Sequence, residues 1–206
     1  MRYLLDKSYD RQGVITFVGN HYQLVKADRE LLKRGVYPDA IAQARQNKLI
    51  APELVTNRPL AVDGHNLIIT IESALLGRTL VAADDGVIRD TAGVHGSYRR
   101  QAVTDQALAL ILRFLKPLAP ESILFLLDAP LSQSGELASR ITAHIRAIGL
   151  SGVARAVPVP EKELFEFPGL VASGDSVIID RVKEPLDLAG HVIRNALPEL
   201  EMVTLR

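Results

Sequence analysis

Residues 59–77 read PLAVDGHNLIITIESALLG. Leu60, Ala61 and Val62 predict a short buried strand that stops at Asp63. Leu67, Ile68, Ile71, Ala74 and Leu75 then recur at helical spacing, and Gly77 supplies a stop, which predicts a helix over 66–76.

The same unit returns downstream. Ile123 to Leu127 is an apolar run ending in Asp128; a helix follows, capped by Ser132 or Ser134, with Leu137, Ile141, Ile145 and Ile148 on one face and Gly149 at its end. Ala154 to Val159 predicts another strand. Leu170 to Ala172 predicts the last central one, leading into Ser173-Gly174-Asp175. Helices are expected over 176–182 and 186–197, and an edge strand over 201–205. Thr79 to Ala83 and Val87 to Thr91 flank Asp84-Asp85-Gly86, a hairpin signature. A polar loop over 92–101 precedes a helix from a Thr104 cap to about Lys116. Apolar strands alternating with amphipathic helices imply an α/β fold, a mostly parallel sheet covered by helices on both faces.

Upstream of Pro52 and Pro59 the pattern is helical: Arg11 to Val18, broken by Gly19-Asn20, then Ala27 to Arg34 and Asp39 to Lys48. Two units are expected, a small helical one over 1–58 and the α/β one over 59–206. Residues 1–58 hold ten Lys/Arg against six Asp/Glu, and the remainder fourteen against eighteen. A basic arm beside an acidic segment suits phosphate contact next to a cation site. The first two helices loosely resemble a helix-turn-helix, with Arg29, Lys33 and Arg34 on or near the exposed side of the second.

The chain has 206 residues and no cysteine, which excludes disulfides and Cys-ligated metals. No apolar run approaches the ~20 residues that cross a bilayer, and the charged opening lacks a secretory signal's apolar core. A cytoplasmic location, no membrane partner and oxygen ligation of any metal are the expectations. Whether the chain forms a homodimer is left open.

Ligands bind parallel sheets at the carboxyl ends of the strands, where Asp63, Asp128 and Asp175 are expected. Close carboxylates repel, and a divalent cation removes the conflict. Such an ion polarises a phosphate oxygen and activates water. Glu161 or Glu163, beyond the strand ending at Val159, could add a fourth ligand. The bland alternative is that each Asp caps the next helix or turn.

Val62-Asp63-Gly64-His65-Asn66 is similar to the V-D-G-Y-N opening of NYN-type, PIN-like ribonucleases. Leu127-Asp128-Ala129 looks like their F-D-A, and Ala172-Ser173-Gly174-Asp175 like their T/S-x-D strand end. The motifs occur in family order over about residues 59–182. The chain also resembles an uncharacterised prokaryotic family that joins a small helical N-terminal domain to a domain of this type. The resemblance implies a PIN-like (Rossmann-like) fold with an inserted β-hairpin, Mg²⁺ or Mn²⁺ as cofactor, and RNA as partner and substrate. It makes Asp63, Asp128 and Asp175 the catalytic, metal-binding acids. Asn66 orders the first loop, and Ser173 lies near the metal or supports Asp175.

Asp180 is a candidate supporting acid. His65, Tyr98, Arg99 and Arg100 are candidate substrate contacts, since arginine grips phosphate and tyrosine stacks bases. The Asp-Asp-Gly turn accounts for Asp84 and Asp85 without a ligand role, Glu72 is expected to be solvated, and Asp187 with His191 is expected to be a structural pair. A non-catalytic RNA-binding or adaptor protein fits the neutral overall charge. A haloacid-dehalogenase-type phosphatase wants an Asp where His65 stands. No G-x-x-x-x-G-K-[ST] supports a nucleotide-binding ATPase.

Overall fold

A computed structural model describes residues 1–91, 102–131 and 133–205. Helices α1 (Arg2–Asp6), α2 (Arg11–His21), α3 (Lys26–Gly35) and α4 (Asp39–Lys48) come first, followed by a 3₁₀ turn over Pro52–Val55. The expected break at Gly19-Asn20 is absent. α2 runs through both residues, and the chain turns only after His21.

The α/β part comprises β1 (Pro59–Asp63), α5 (Gly64–Leu75), β2 (Leu80–Ala82), β3 (Ile88–Asp90), α6 (Val103–Leu118) and β4 (Ser122–Asp128). It continues through α7 (Ser134–Ala147), β5 (Gly152–Val157), α8 (Pro160–Glu166), β6 (Leu170–Ala172), α9 (Ser176–Arg181), β7 (Pro185–Leu186), α10 (Leu188–Ala196) and β8 (Val203–Thr204). Five strands form one sheet, in the order β5-β4-β1-β6-β7, with every pairing parallel.

Both faces of that sheet are covered. Leu60 and Val62 of β1, Ile123, Phe125 and Leu127 of β4, and Leu170 and Ala172 of β6 pack with buried residues of α5, α6, α7 and α10. Ala61, Leu126 and Val171 point to the opposite face, where Leu164 of α8, Ile178 of α9 and Val182 close over them. The alternation follows from the two-residue repeat of a strand.

The predicted hairpin forms, with β2 and β3 antiparallel. It stands outside the main sheet, in a second sheet ordered β3-β2-β8, where β8 pairs parallel with β2. The helical N-terminal region docks on this small sheet. Leu5, Val14, Val18 and Val36 cluster with Leu205 beyond β8, and a Cβ on Gly35 would lie 2.6 Å from Leu205 and 2.7 Å from Val81. No helix among the described residues is long and apolar enough to cross a membrane.

Three local expectations are corrected. Thr104 does not cap α6; it lies within it and donates a hydrogen bond of 2.5 Å to Glu72 Oε1. Glu72 is therefore buried rather than solvated. Ser134 is the first residue of α7, and its hydroxyl donates to the carbonyls of Asp128 and Leu131 instead of capping the helix; Ser132 lies outside the described residues.

Candidate functional site

Strand register carries Asp63, Asp128 and Ser173 to one face of the sheet. Asp63 pairs with Leu126, so Asp128, two residues beyond, shares its side. Val171 pairs with Ala61, so Ser173 does too. This is the face covered by α8 and α9. β1 and β6 are neighbours, yet β1 continues to β4 on its other side and β6 to β7, so chain order reverses between them. The carboxyl ends at such a reversal form the crevice where open α/β sheets bind ligands.

Asp63 ends β1 and immediately precedes α5, whose first turn it does not cap through its side chain. The residue is 9 % exposed, and its carboxylate accepts the Ser173 hydroxyl at 2.8 Å. Ser173 Oγ accepts in turn from the Asp175 backbone N–H at 3.0 Å. Burial, opposed by the Ser173 hydrogen bond and reinforced by the charges of Asp175 and Asp128, pushes Asp63 up to about 7; the nearby Asn66 N–H draws it slightly back. The three acids named from the sequence are therefore in electrostatic contact.

They do not form a closed cage. Among the described residues no three Asp, Glu or His side chains are placed to hold an ion together. The two-residue offset that sets Asp128 beyond Asp63 is one reason. The others are partners already taken. Asp175 spends Oδ1 on the Val177 N–H at 2.6 Å, capping α9. Asp128 Oδ2 lies 3.0 Å from His65 Nδ1, which is also 2.9 Å from the Asp128 amide.

His65 thus turns inwards. It is fully buried and positions Asp128, where a substrate contact was expected. Asn66 reaches across to the third strand end, its Oδ1 accepting the Gly174 N–H at 2.8 Å. Glu161 and Glu163 lie in the first turn of α8. Glu163 is paired with Arg155, and Glu161 is exposed. Asp180, expected as a supporting acid, pairs with Arg45 at 2.7 and 2.8 Å. Tyr98, Arg99 and Arg100 lie outside the described residues.

Sequence reading passed over an arginine–tyrosine cluster that braces the site loop. Arg89 donates at 2.7 Å to the Gly174 carbonyl, between Ser173 and Asp175. It also grips Asp85 through two bonds of 2.7 and 2.8 Å, and Arg45 reaches Asp85 at 3.0 Å. Burial raises Asp85, but these guanidiniums outweigh it and hold the carboxyl below its ordinary value. Arg11, Arg45 and Arg89 lie 4.3, 4.4 and 5.2 Å from the Tyr37 ring centroid. The turn acids Asp84 and Asp85 are structural: Asp84 pairs with Arg2 at 2.8 Å. Asp187, expected to pair with His191, caps α10 and accepts the Ile88 N–H at 3.1 Å.

The description "Domain of unknown function (DUF5616)" matches residues 52–191. "Protein of unknown function (DUF434)" matches residues 1–48. An uncharacterised protein of Methanocaldococcus jannaschii is 32 % identical over 194 residues, covering 93 % of this chain and 92 % of its own length. No solved structure matches the chain.

Proposed function

From a chain that belongs to the DUF5616 family, we infer a metal-dependent ribonuclease on a PIN-like fold, hydrolysing RNA phosphodiester bonds at the carboxyl edge of the parallel sheet. The observation that carries this reading is Asp63, held by Ser173 at the end of the central strand and raised to about 7 by its burial and then by the charges of Asp175 and Asp128. Such an acid resists ionisation until a cation neutralises its neighbours.

The donor chemistry suits a hard ion. Mg²⁺ binds through one or two carboxylates and keeps several waters, so a closed cage of three acids is not required. Asp63 and Asp175, joined through Ser173, would hold the ion directly, and Asp128 would act from the next strand. Bound there, the ion would supply charge for a phosphate oxygen and an activated water. His65 and Asn66 hold Asp128 and the Ser173–Asp175 loop in place, while α8 and α9 close this face of the sheet.

The absence of a three-acid cluster among the described residues favours a second reading, a non-catalytic RNA-binding or adaptor protein on the same fold. Cleavage assays on single-stranded and structured RNA with Mn²⁺ or Mg²⁺ separate the two. Turnover abolished by Asp63→Asn supports the nuclease. RNA retention without turnover, unchanged by Asp175→Asn, supports the adaptor.

A further inference from the structure

A cavity of about 740 Å³ lies between the helical N-terminal region and the Gly174–Asp175–Ser176 segment that leaves β6. That volume is within the ~300–1,000 Å³ typical of small-ligand sites. Five cationic side chains line it, Arg11, Lys33, Arg34, Arg45 and Arg89, against two acids, Asp6 and Asp175. The balance is more basic than the neutral chain as a whole.

Three of the five cations already have a carboxylate partner, Lys33 lying 3.8 Å from Glu30 Oε1. Arg45 and Arg89 are held by Asp85 and Asp180. Arg11 and Arg34 have no carboxylate partner among the described residues. Arg11 donates at 2.6 Å to the Lys33 carbonyl, which pins α2 to α3 and sets its guanidinium over the Tyr37 ring. Arg34 Nε is buried without a hydrogen-bond partner among the described residues. Burial and the charges of Arg45 and Arg89 destabilise the Arg11 cation, opposed by Tyr37 and Asp85. Guanidiniums without a carboxylate partner in a concave site are a ready match for a phosphate, their planar forks of N–H donors meeting its several acceptor oxygens. Asp6 Oδ1 accepts the Asp39 N–H at 2.8 Å.

We propose that this cavity binds a phosphate monoester, with Arg11 and Arg34 as its grips and Lys33 at its rim. Two such guanidiniums match the nearly double charge of a monoester better than the single charge of an internal diester. The cavity shares Asp175 with the acidic site, so a nucleotide chain held by its terminal phosphate runs directly onto the carboxylates. That the phosphate belongs to RNA rests on the ribonuclease reading; the phosphate site itself does not.

The test is calorimetry on the full chain in EDTA, with inorganic phosphate and with one short oligoribonucleotide carrying either a 5′-phosphate or a 5′-hydroxyl. Phosphate binds, the phosphorylated oligonucleotide binds at least ~10-fold tighter than the hydroxyl form, and Arg11→Gln and Arg34→Gln each weaken both by ~10-fold or more. Inorganic phosphate in EDTA reads the cavity without turnover or metal, so turnover lost in Asp63→Asn and phosphate binding lost in Arg34→Gln are separate results. Should a glutamine variant fold poorly, phosphate protection of Arg11 and Arg34 from phenylglyoxal in the unaltered protein, read by mass spectrometry, replaces it. Equal affinity for the two oligonucleotides, phosphate binding untouched in both variants, or no protection overturns the proposal.

Discussion

Ser173 and Asp63, 110 residues apart in sequence, share a hydrogen bond of 2.8 Å in which the serine hydroxyl donates. The same oxygen accepts the Asp175 amide, so one hydroxyl fixes two of the acids. It also counters the burial that raises Asp63. Removing it in Ser173→Ala therefore moves the Asp63 titration upward from about 7. Carbon-13 NMR of the Asp63 carboxyl reads this directly. An unmoved midpoint would mean that the hydroxyl does not control the acid.

Asp63 also couples stability to pH. Its folded value of about 7 stands above the ordinary 3.8, so between roughly pH 4 and pH 7 the folded chain keeps a proton that the unfolded chain has released. The contribution of this group is complete below about pH 4 and is lost as pH rises through 7. Asp63→Asn removes the dependence. At pH 8 the variant is expected to be more stable than the natural chain by on the order of 1–4 kcal/mol, and the gap closes towards pH 5. Thermal melts at the two pH values check it. A gap of the same size at both would show that burial of the charge is not the cause. Mn²⁺ restores the natural chain at pH 8 if Asp63 binds it.

The strands that carry the acids were legible because apolar runs such as Leu60–Val62 and Ile123–Leu127 end abruptly in Asp. Period-two alternation then puts Asp63 and Asp128 on one face, which follows from register alone. What each carboxylate does was not legible. Asp175 and Asp180 lie five residues apart at the cap and within α9, yet Asp180 belongs to Arg45, 135 residues away, and pairs at that separation leave no local pattern. His65 beside Asp63 gave no sign that it would turn inwards to Asp128. The two-residue β7, Pro185–Leu186, is too short to carry periodicity. α8 was missed because Pro160 opens it, where a proline is tolerated in a helix's first turn.

Asp85 is the hub that joins the helical region to the site. It is fully buried and bonded to Arg45 of α4 and Arg89 of β3, and Arg89 in turn holds Gly174. Asp85→Asn leaves two buried guanidiniums facing a neutral group. Breaking a buried pair in this way costs about 3–5 kcal/mol. At ~2–4 °C per kcal/mol for a chain of this size, the melting temperature falls by roughly 6–20 °C. Asp180→Ala removes only the half-exposed partner of Arg45 and costs about 0–1 kcal/mol. Equal effects of the two substitutions would contradict this ranking.

Gly64 is where β1 meets α5, directly after Asp63. A Cβ there would lie 2.6 Å from Leu127 Cδ2 and 2.9 Å from the Leu126 carbonyl oxygen. The leucine methyl can turn aside, but the carbonyl belongs to the parallel ladder between β1 and β4 and cannot. In Gly64→Ala the first turn of α5 must therefore shift, and Asp63 shifts with it, away from Ser173. Overpacking of this kind costs about 1–3 kcal/mol. Gly135, in the first turn of α7, has open space where a Cβ would sit. Gly135→Ala should be neutral or stabilising by up to ~1 kcal/mol. Comparing the two melts separates a general intolerance of alanine from a steric requirement at the end of β1. If the Gly64→Ala Asp63 carboxyl still titrated near 7, the turn would be yielding elsewhere and the acid would be held by the sheet alone.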